Sequence, residues 1–579
     1  MHAESRQPGQ PVIDLVDRAR AWVAGDPDPE TRHELEALIE AGDHAELESR
    51  VNTHLTFGTA GIRGVVGAGP GRMNRAVVIT TTYGLASLLV AEQGKPPFQP
   101  TIVGFDARPT SRQLGEDTAG VLAAAGVPVI FFPEVTPTPL VAFAAKHLNA
   151  SAAVVITASH NPPADNGYKV YWSDAAPIVP PVDLDIQAAI ETAPPATSIP
   201  RIEKVFEGVS DLVRPAPRNI LDCYWEEVES NRWRRTGSKL KIVYTPVHGV
   251  GGRVLIDVMS RAGHTDVTTV PQQGEPDGTF PTVAFPNPEE SGTLDLALEL
   301  AARKRADLVI ANDPDADRLA VVLPSSGGWR PLTGNEIGVM LADYLLSHIE
   351  DPVRAIIASS IVSSPMIAGI AAKYGARHAR TLTGFKWIVK AGMSLERAGH
   401  GRFVFGYEEA LGYTVGSTVR DKDGISAAVI FTDLVADLDD GNRSVMDYLA
   451  GLWAEHGLWV SAQTSITRPG PDGAVSLGLV VERLADDPPG AVGGRPVTAV
   501  TDYRKHADER PPWLGEQSLV ELALGDSGRV LVRPSGTEPK LKIYVDLRET
   551  LTEEPVRQHS ELLGRATALG QTLAAELAL

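Results

Sequence analysis

Cysteine, long apolar runs and positive charge are all scarce in this chain. Cys223 is the single cysteine among 579 residues, so an intrachain disulfide is impossible and a reducing compartment fits. No run of about 18 apolar residues occurs and residues 1–8 lack the apolar core of a signal peptide, which predicts a protein without a transmembrane helix. Acidic residues outnumber basic ones by 73 to 53, for a formal net charge of −20. We therefore expect a cytoplasmic protein with neither nucleic-acid nor membrane partners.

The chain is long enough for several domains. At 579 residues it exceeds what one hydrophobic core supports, which predicts roughly three to four domains. Residues 31–51 are predicted to be helical, and the strand–helix–strand spacing that follows is typical of an α/β domain with a parallel sheet. Near the end, two strand-like runs flank a Pro/Gly loop, which favours an α+β unit. The predicted boundaries give a helical extension with a first αβ unit over 1–213, αβ units over 214–325 and 326–455, and an α+β unit over 456–579.

A polar loop with two prolines follows the apolar run 152–156 (AAVVI). This loop, 157–165 (TASHNPPAD), places Ser159 at the carboxyl end of a predicted strand, the edge of an open α/β sheet where ligands bind. A hydroxyl there suits a nucleophile, although a serine that caps a helix is the alternative. A Ser-His hydrolase is a further alternative. Neighbouring side chains of an extended chain point to opposite sides, however, so we expect Ser159 and His160 to face apart.

Three aspartates alternate after another strand-like run. In an extended segment Asp313, Asp315 and Asp317 would share one side and converge on one cation. All-oxygen ligands select a hard ion, and Mg²⁺ is the usual choice beside a phosphate. A calcium-binding EF-hand is excluded, because its sixth and twelfth positions would be Arg318 and Pro324 instead of Gly and Glu. Two alternatives stay open: Asp313 as the nucleophile of an aspartyl phosphotransferase, or a solvated acidic turn.

Further segments suit an anionic ligand of the size of a sugar. They are the glycine-rich turn 58–64 (GTAGIRG), the polar loop 406–413 (GYEEALGY) and the late loop 533–539 (RPSGTEP), which combines a guanidinium with hydroxyls and glycine backbone. Each is also compatible with an ordinary tight turn. An anion site in so acidic a protein must be locally basic, and the residues in or beside the loops that can supply this charge are Arg63, Arg108, Arg318, Lys386 and Arg533.

These motifs, in this order, resemble those of the α-D-phosphohexomutase superfamily, which includes the phosphoglucomutases and phosphomannomutases. The resemblance covers roughly residues 50–550. It implies an α/β fold of three similar αβ domains with mixed or parallel sheets, and a C-terminal α+β domain, around a central cleft. It also implies Mg²⁺, a small phosphosugar substrate, and a sugar bisphosphate as activator and intermediate.

The resemblance assigns roles to residues at matching positions. Ser159 would carry a phosphoryl group and donate it to a sugar monophosphate, with Arg63 at the catalytic centre and Lys169 in general acid–base steps. A surface charge is the alternative for Lys169. The implied metal ligands are Ser159, Asp313, Asp315 and Asp317. The implied substrate-binding residues are Arg318, Lys386, Glu408, Arg533, Ser535, Gly536 and Thr537.

One position departs from the hexose-phosphate mutases that the chain resembles. Their sugar loop commonly reads G-E-x-S, whereas Ala410 stands at the serine position here. The local string is closer to the phosphopentomutase-like branch. The principal hypothesis is a mutase that interconverts hexose 1-phosphate and hexose 6-phosphate of glucose or mannose. A phosphopentomutase acting on ribose or deoxyribose phosphate is the first alternative, and a non-catalytic phosphosugar-binding protein is the second.

Overall fold

A computed structural model describes residues 15–58, 61–205, 210–468, 473–534 and 540–578. These residues form two compact units. The first runs to Thr136 and adds Ala144–Arg218 and Asp277–Pro286, and the second comprises Pro137–Phe143, Asn219–Pro276 and the chain from Asn287 onward.

A six-stranded sheet lies at the centre of the first unit. Its strands are β1 (Ile62–Val65), β2 (Thr101–Phe105), β3 (Val129–Phe131), β4 (Ala152–Ile156), β5 (Asp165–Tyr171) and β6 (Val213–Pro215). Their order across the sheet is β1-β5-β4-β2-β3-β6. The pairs among β2, β3, β4 and β6 are parallel, as predicted, but β5 is antiparallel to both its neighbours. The sheet is therefore mixed, because β5 returns directly after the serine loop without a crossover helix.

In sequence, helices precede β1 and separate most of the later strands of this sheet. They are α1 (Leu15–Gly25), α2 (Pro29–Ala41), α3 (His44–Val51), α4 (Arg75–Gln93), α5 (Ser111–Ala124), α6 (Thr138–His147) and α7 (Val182–Glu191). The stretch predicted as helical over 31–51 is two helices. Gly42, at φ 65°, ends α2 in the left-handed conformation that glycine tolerates best, and the Asp43 side chain caps α3.

Strand β4 gives the serine loop a rigid base. It is buried along its whole length, as expected for a strand covered by helices on both faces. Val154 and Ile156 belong to one hydrophobic cluster with Phe105 of β2 and Phe131 of β3. The loop that follows Ile156 therefore leaves a fixed point at the sheet edge.

The second unit contains three larger sheets within the described residues. The strands of the first are β7 (Ile242–Thr245), β8 (Val267–Thr269), β9 (Leu308–Ala311), β10 (Ala320–Ser325) and β11 (Gly328–Pro331). Those of the second are β12 (Ala355–Ser360), β13 (Arg377–Thr381), β14 (Arg402–Glu408) and β15 (Gly412–Val415). The remaining strands are β16 (Leu458–Thr467), β17 (Ala491–Val492), β18 (Arg495–Pro496), β19 (Ala499–Asp502), β20 (Val520–Ala523), β21 (Gly528–Pro534) and β22 (Lys540–Glu549). The sheet orders are β11-β10-β9-β7-β8, β13-β12-β14-β15 and β16-β22-β21-β20-β19, with β17 and β18 as a separate pair.

Helices make the other connections within the first two of these sheets, whereas turns join β9 to β10, β10 to β11 and β14 to β15. The helices of the second unit from Ile220 onward are α8 (Ile220–Ser230), α9 (Gly252–Arg261), α10 (Asp295–Lys304), α11 (Gly334–His348), α12 (Met366–Tyr374), α13 (Phe385–Arg397), α14 (Gly424–Asp440), α15 (Val445–His456), α16 (Gly473–Asp486) and α17 (Pro555–Ala578). Short 3₁₀ helices cover Ala196–Ser198, Pro352–Arg354, Ala507–Glu509, Pro512–Leu514 and Gly525–Ser527.

The predicted fold class is confirmed. Mixed αβ sheets are followed by an antiparallel C-terminal sheet, in which β21 and β22 are the strands predicted on either side of the Pro/Gly loop. The predicted boundaries near 213, 325 and 455 stay predictions. Among the described residues, α4 is the one helix long and apolar enough to cross a membrane, but 56% of that stretch is buried inside the protein. A buried core helix can have the same length and composition, so α4 is weak evidence for a membrane span.

Candidate active site

The serine loop holds Ser159 in an uncommon backbone conformation. Ser159 is buried and has φ 51°, and its N–H donates to Thr157 Oγ1 at 2.9 Å. The expectation that Ser159 and His160 face apart is wrong, because Ser159 Oγ lies 3.1 Å from His160 Nδ1. The expectation assumed an extended chain, whereas the left-handed conformation at Ser159 turns the two neighbouring side chains toward each other.

Arg108 fixes the backbone of this loop. Its guanidinium is 1% exposed and contacts Asp106 Oδ2 at 3.2 Å. It also donates to four backbone carbonyls of the loop at 2.6–2.8 Å, those of Ser159, Asn161, Pro162 and Asp165. The sequence suggested Arg108 as positive charge for an anionic ligand. In the structure its donors serve the loop instead, and this support for the proposed nucleophile was not predicted.

Lys169 lies on β5, the strand next to β4 that follows the serine loop, and Arg63 lies on β1, on the far side of β5. β5 lies between β1 and β4, with Arg63 opposite Gly167 and Lys169 opposite Val155. Lys169 is 4% exposed, so the alternative of a surface charge is wrong. Residues 59 and 60 of the glycine-rich turn lie outside the described residues. Gly61, at φ 89°, needs to be glycine, because a Cβ there would lie 2.3 Å from the Tyr168 carbonyl oxygen.

The three aspartates after β9 converge, but not for the predicted reason. Residues 313–317 form a turn in which Ala316 has φ 59°, so the carboxylates meet through the turn and not through alternation along an extended segment. Asp313, Asp315 and Asp317 are at most 1% exposed, and each offers a ligand oxygen within 4.8 Å of the others. Three buried oxygen donors at this separation suit a small, hard divalent cation.

Hydrogen bonds fix the turn and the central carboxylate. Thr138 donates its hydroxyl to Asp315 Oδ2 at 2.6 Å. Asn312 spans the loop by donating to the Arg318 carbonyl at 2.6 Å, and it accepts from the Tyr244 hydroxyl at 3.0 Å. Burial and the negative charges of Asp315 and Asp317 raise the pKa of Asp313 well above its usual range. A divalent cation would relieve this repulsion.

Two basic side chains lie against the triad. Arg318 is 4.0 Å from Asp313 Oδ2 and 3.5 Å from Glu289 Oε2. Lys422 Nζ is 3.2 Å from Asp317 Oδ2. Arg318 is adjacent to the motif in sequence and was predicted to contribute, whereas Lys422 comes from a distant loop and was missed.

The sugar loop is the turn of a β-hairpin. Strands β14 and β15 pair with Glu408 opposite Gly412, and Glu408 Oε1 accepts the Gly384 N–H at 3.0 Å. Lys386, predicted to lie in a loop, is in the first turn of α13. The structure thus brings Glu408 to the segment that leads into the helix of Lys386.

A second carboxylate in the sugar loop is held by hydroxyls. Glu409 Oε2 accepts from Ser360 Oγ at 2.9 Å and from Ser363 Oγ at 3.2 Å. Burial, and next the charge of Glu408, raise the pKa of Glu409 to about 7. Glu409 was not predicted to belong to the site, although two adjacent glutamates in a strand-end loop were a visible signal.

Arg533 lies at the end of β21 and contacts the loop before α13. Its guanidinium donates to Thr383 Oγ1, which also accepts from Gln517 Nε2 at 2.8 Å. The other residues predicted for this anion loop, Ser535, Gly536 and Thr537, lie outside the described residues.

Comparison with known proteins gives matches along most of the chain. Sequence models of the phosphoglucomutase/phosphomannomutase α/β/α domains I, II and III match residues 54–196, 222–327 and 333–456, and the model of the C-terminal domain matches 496–554. A probable phosphomannomutase of Haemophilus influenzae is 40% identical over 82% of this chain and 93% of its own length. A probable phosphoribomutase of Schizosaccharomyces pombe is 36% identical over 95% of this chain and 96% of its own. The fold is also similar to that of the phosphoglucomutase parafusin from Paramecium, with a TM-score of 0.67 and 19% identity over 91% of this chain and 96% of that one.

Proposed function

Because the chain belongs to the phosphoglucomutase/phosphomannomutase family and is an enzyme of the intramolecular phosphotransferase type, we propose that it interconverts hexose 1-phosphates and hexose 6-phosphates. The observation that carries the proposal is the buried group of Asp313, Asp315 and Asp317, with Lys422 and Arg318 against it. Such a site can hold the cation that phosphoryl transfer needs.

The proposed reaction transfers a phosphoryl group twice. The P–O bond to Ser159 Oγ breaks while the C6 hydroxyl oxygen of a hexose 1-phosphate bonds to phosphorus, which gives a hexose 1,6-bisphosphate and leaves Ser159 as its alkoxide to be protonated. In the second step Ser159 takes the phosphoryl group from C1, and hexose 6-phosphate is released. We assign the proton transfers to Lys169, which is buried on β5, and the clamping of phosphoryl oxygens to Arg63.

Mg²⁺ would be held by Asp313, Asp315 and Asp317 together with the phosphorylated Ser159. When bound, it would supply neutralisation of the phosphoryl charge. The three aspartates fit this role because they offer only oxygen donors and are buried in one turn.

Substrate binding is assigned to the second unit. We propose that Glu408 accepts hydrogen bonds from sugar hydroxyls, and that Arg533 grips the phosphate that is not being transferred. The remaining contacts to the phosphosugar are assigned to Arg318, Lys386, Ser535, Gly536 and Thr537. A trace of hexose bisphosphate should act as activator, because it phosphorylates Ser159.

A phosphopentomutase activity is the second candidate. Two observations favour it: Ala410 stands where the hexose-phosphate mutases that the chain resembles commonly have a serine, and the match to the probable phosphoribomutase spans nearly the whole of both chains. The wild-type ratio of kcat/KM for glucose or mannose 1-phosphate to that for ribose 1-phosphate decides between the two. A ratio that favours ribose by about tenfold or more, roughly 1.4 kcal/mol, would replace the first proposal with the second.

The phosphoserine step is tested on Ser159 directly. Intact-mass analysis should find one phosphoryl group on part of the wild-type protein and none on Ser159→Ala. The variant should lose at least about a thousandfold in kcat without unfolding, because the covalent route is gone. Ser87→Ala, a substitution on the exposed face of α4, is the matched control. Near-normal turnover by Ser159→Ala would rule the mechanism out.

A further inference from the structure

Lys422 places a cation directly against the aspartate triad. Its Nζ lies 3.2 Å from Asp317 Oδ2 and 3.6 Å from Asp421 Oδ1, and its side chain is 13% exposed. The ammonium also lies 5.5 Å from the centre of the Phe385 ring. This lysine is therefore enclosed, with an aromatic face on one side and carboxylates on another.

The surrounding fold holds Lys422 in this place. The next residue, Asp423, caps α14 by accepting the N–H groups of Ile425 and Ser426 at 3.1 and 3.0 Å, and it accepts the Tyr224 hydroxyl at 2.9 Å. Gly412 makes room for the lysine stem, because a Cβ at Gly412 would lie 2.5 Å from Lys422 Cδ. The capped backbone at Asp423 and the close packing of Gly412 against the lysine stem limit the positions that this ammonium can take.

Each carboxylate of the triad has a different polar or charged neighbour. Asp317 has Lys422 at 3.2 Å, Asp313 has Arg318 at 4.0 Å, and Asp315 accepts the Thr138 hydroxyl. Arg318 and Lys422 thus place two fixed cations against the triad before any metal binds. A divalent cation bound by Asp317 would lie within a few ångströms of the Lys422 ammonium, and like charges at such a distance repel each other strongly in a buried site.

We propose that Lys422 is a built-in counter-cation of the aspartate triad, which stabilises the metal-free protein and lowers the affinity of the triad for Mg²⁺. The inference rests on the proposed function, because it takes the triad as the metal site. It makes Lys422 a positioning residue that acts through Asp317. Removal of its charge should have opposite effects on the two states: the metal-free protein becomes less stable, and Mg²⁺ binds more tightly.

Titration calorimetry and thermal unfolding of Lys422→Met test both effects. We expect its Kd for Mg²⁺ to fall by at least about fivefold relative to wild type, because a repelling charge is gone. In chelator its melting temperature should drop below that of wild type, and saturating Mg²⁺ should close much of the gap. An unchanged or weaker affinity for Mg²⁺ would overturn the proposal. If the variant folds only with Mg²⁺ present, the Mg²⁺ concentration at half-maximal folding, lower than the wild-type Kd, replaces the calorimetric value.

Two control variants separate charge from other effects. Lys422→Arg keeps the positive charge and should keep a Kd for Mg²⁺ within about twofold of wild type. Lys373→Met removes a lysine from a distant ion pair with Asp343 and Glu455, and it should leave Mg²⁺ binding unchanged. If wild type itself binds no Mg²⁺ the proposed metal site fails, and this inference fails with it. If wild type binds Mg²⁺ and Lys422→Met binds it with the same Kd, this inference alone is overturned.

Discussion

The serine loop and the aspartate loop both follow a buried strand, yet they are held in different ways. In the serine loop a buried cation, Arg108, binds backbone carbonyls. In the aspartate loop the cations Lys422 and Arg318 lie against the functional carboxylates themselves. Each loop contains a residue with positive φ, Ser159 at 51° and Ala316 at 59°.

This difference matches what each loop is proposed to do. A nucleophilic hydroxyl must react, so the support that fixes it is best made through the main chain. Buried carboxylates repel one another, so their support must bring charge of the opposite sign. Loss of Arg108 should therefore destabilise the protein, whereas loss of one aspartate of the triad should not destabilise the metal-free protein.

The largest expected effect is at Arg108. Arg108→Met removes the guanidinium that pairs with Asp106 and donates to four loop carbonyls, and loss of one partner of a buried ion pair costs about 3–5 kcal/mol of unfolding free energy. Denaturant unfolding measures the loss. Arg112→Met on the same segment removes an exposed pair with Glu116 and should change stability by less than about 1 kcal/mol. Equal effects of the two substitutions would show that Arg108 does not brace the loop.

Asp315→Ala should behave in the opposite way. Removal of one of three clustered carboxylates relieves repulsion, so the metal-free protein should be no less stable than wild type. Mg²⁺ binding should weaken, and kcat should fall by about a hundredfold or more, since one ligand of the charge-neutralising cation is lost. Calorimetry with Mg²⁺ and a coupled mutase assay measure these changes. Full activity of chelator-treated wild type would exclude the triad from catalysis.

Local patterns in the sequence predicted the elements but not the supports between them. The apolar run 152–156 is β4 in the structure because an uninterrupted run of this length fits a buried strand. The positive φ values at Ser159 and Ala316 were not predictable, because neither residue type demands that conformation. As a result, the predictions that Ser159 and His160 face apart and that the aspartates align along an extended segment were both wrong in geometry.

The loop-supporting role of Arg108, which was predicted only as positive charge for an anionic ligand, and the whole contribution of Lys422 were missed for a related reason. Arg108 and Lys422 contact segments far away in sequence, and no spacing rule connects such positions. By contrast, the convergence of the three aspartates was predicted because all three lie within residues 313–317, although the turn and not the alternation brings them together. The roles assigned to individual site residues stay predictions that the substitutions test.

The sugar loop offers a third case, a half-buried carboxylate held by the hydroxyls of Ser360 and Ser363. The pKa of Glu409 is raised from its ordinary 4.5 to about 7, so ionisation of Glu409 costs the folded state stability as the pH rises from about 4.5 to about 7. Glu409→Gln avoids that cost. It should match wild type near pH 4.5 and exceed it by on the order of 2 kcal/mol at pH 8. Thermal or denaturant unfolding across this range measures the difference, and a difference that does not vary with pH would contradict the assignment.

The smallest expected effect is at Ala410. A substitution there changes one contact with the substrate and removes no interaction that holds the loop. Ala410→Ser adds a hydroxyl to the turn between β14 and β15, two residues after Glu408. A new hydrogen bond to a sugar hydroxyl contributes about 0.5–1.5 kcal/mol net, or roughly two- to twelvefold in kcat/KM. We therefore expect the ratio of kcat/KM for glucose or mannose 1-phosphate to that for ribose 1-phosphate to rise by that factor. Ala410→Gly, which adds no hydroxyl, is the control and should not raise the ratio.

Because the effect is small, Ala410 can tilt a preference between hexose and pentose but cannot exclude either. A ratio unchanged by the serine would mean that the sugar does not reach this part of the loop, and the substrate contact assigned to neighbouring Glu408 would then need to be reassigned as well.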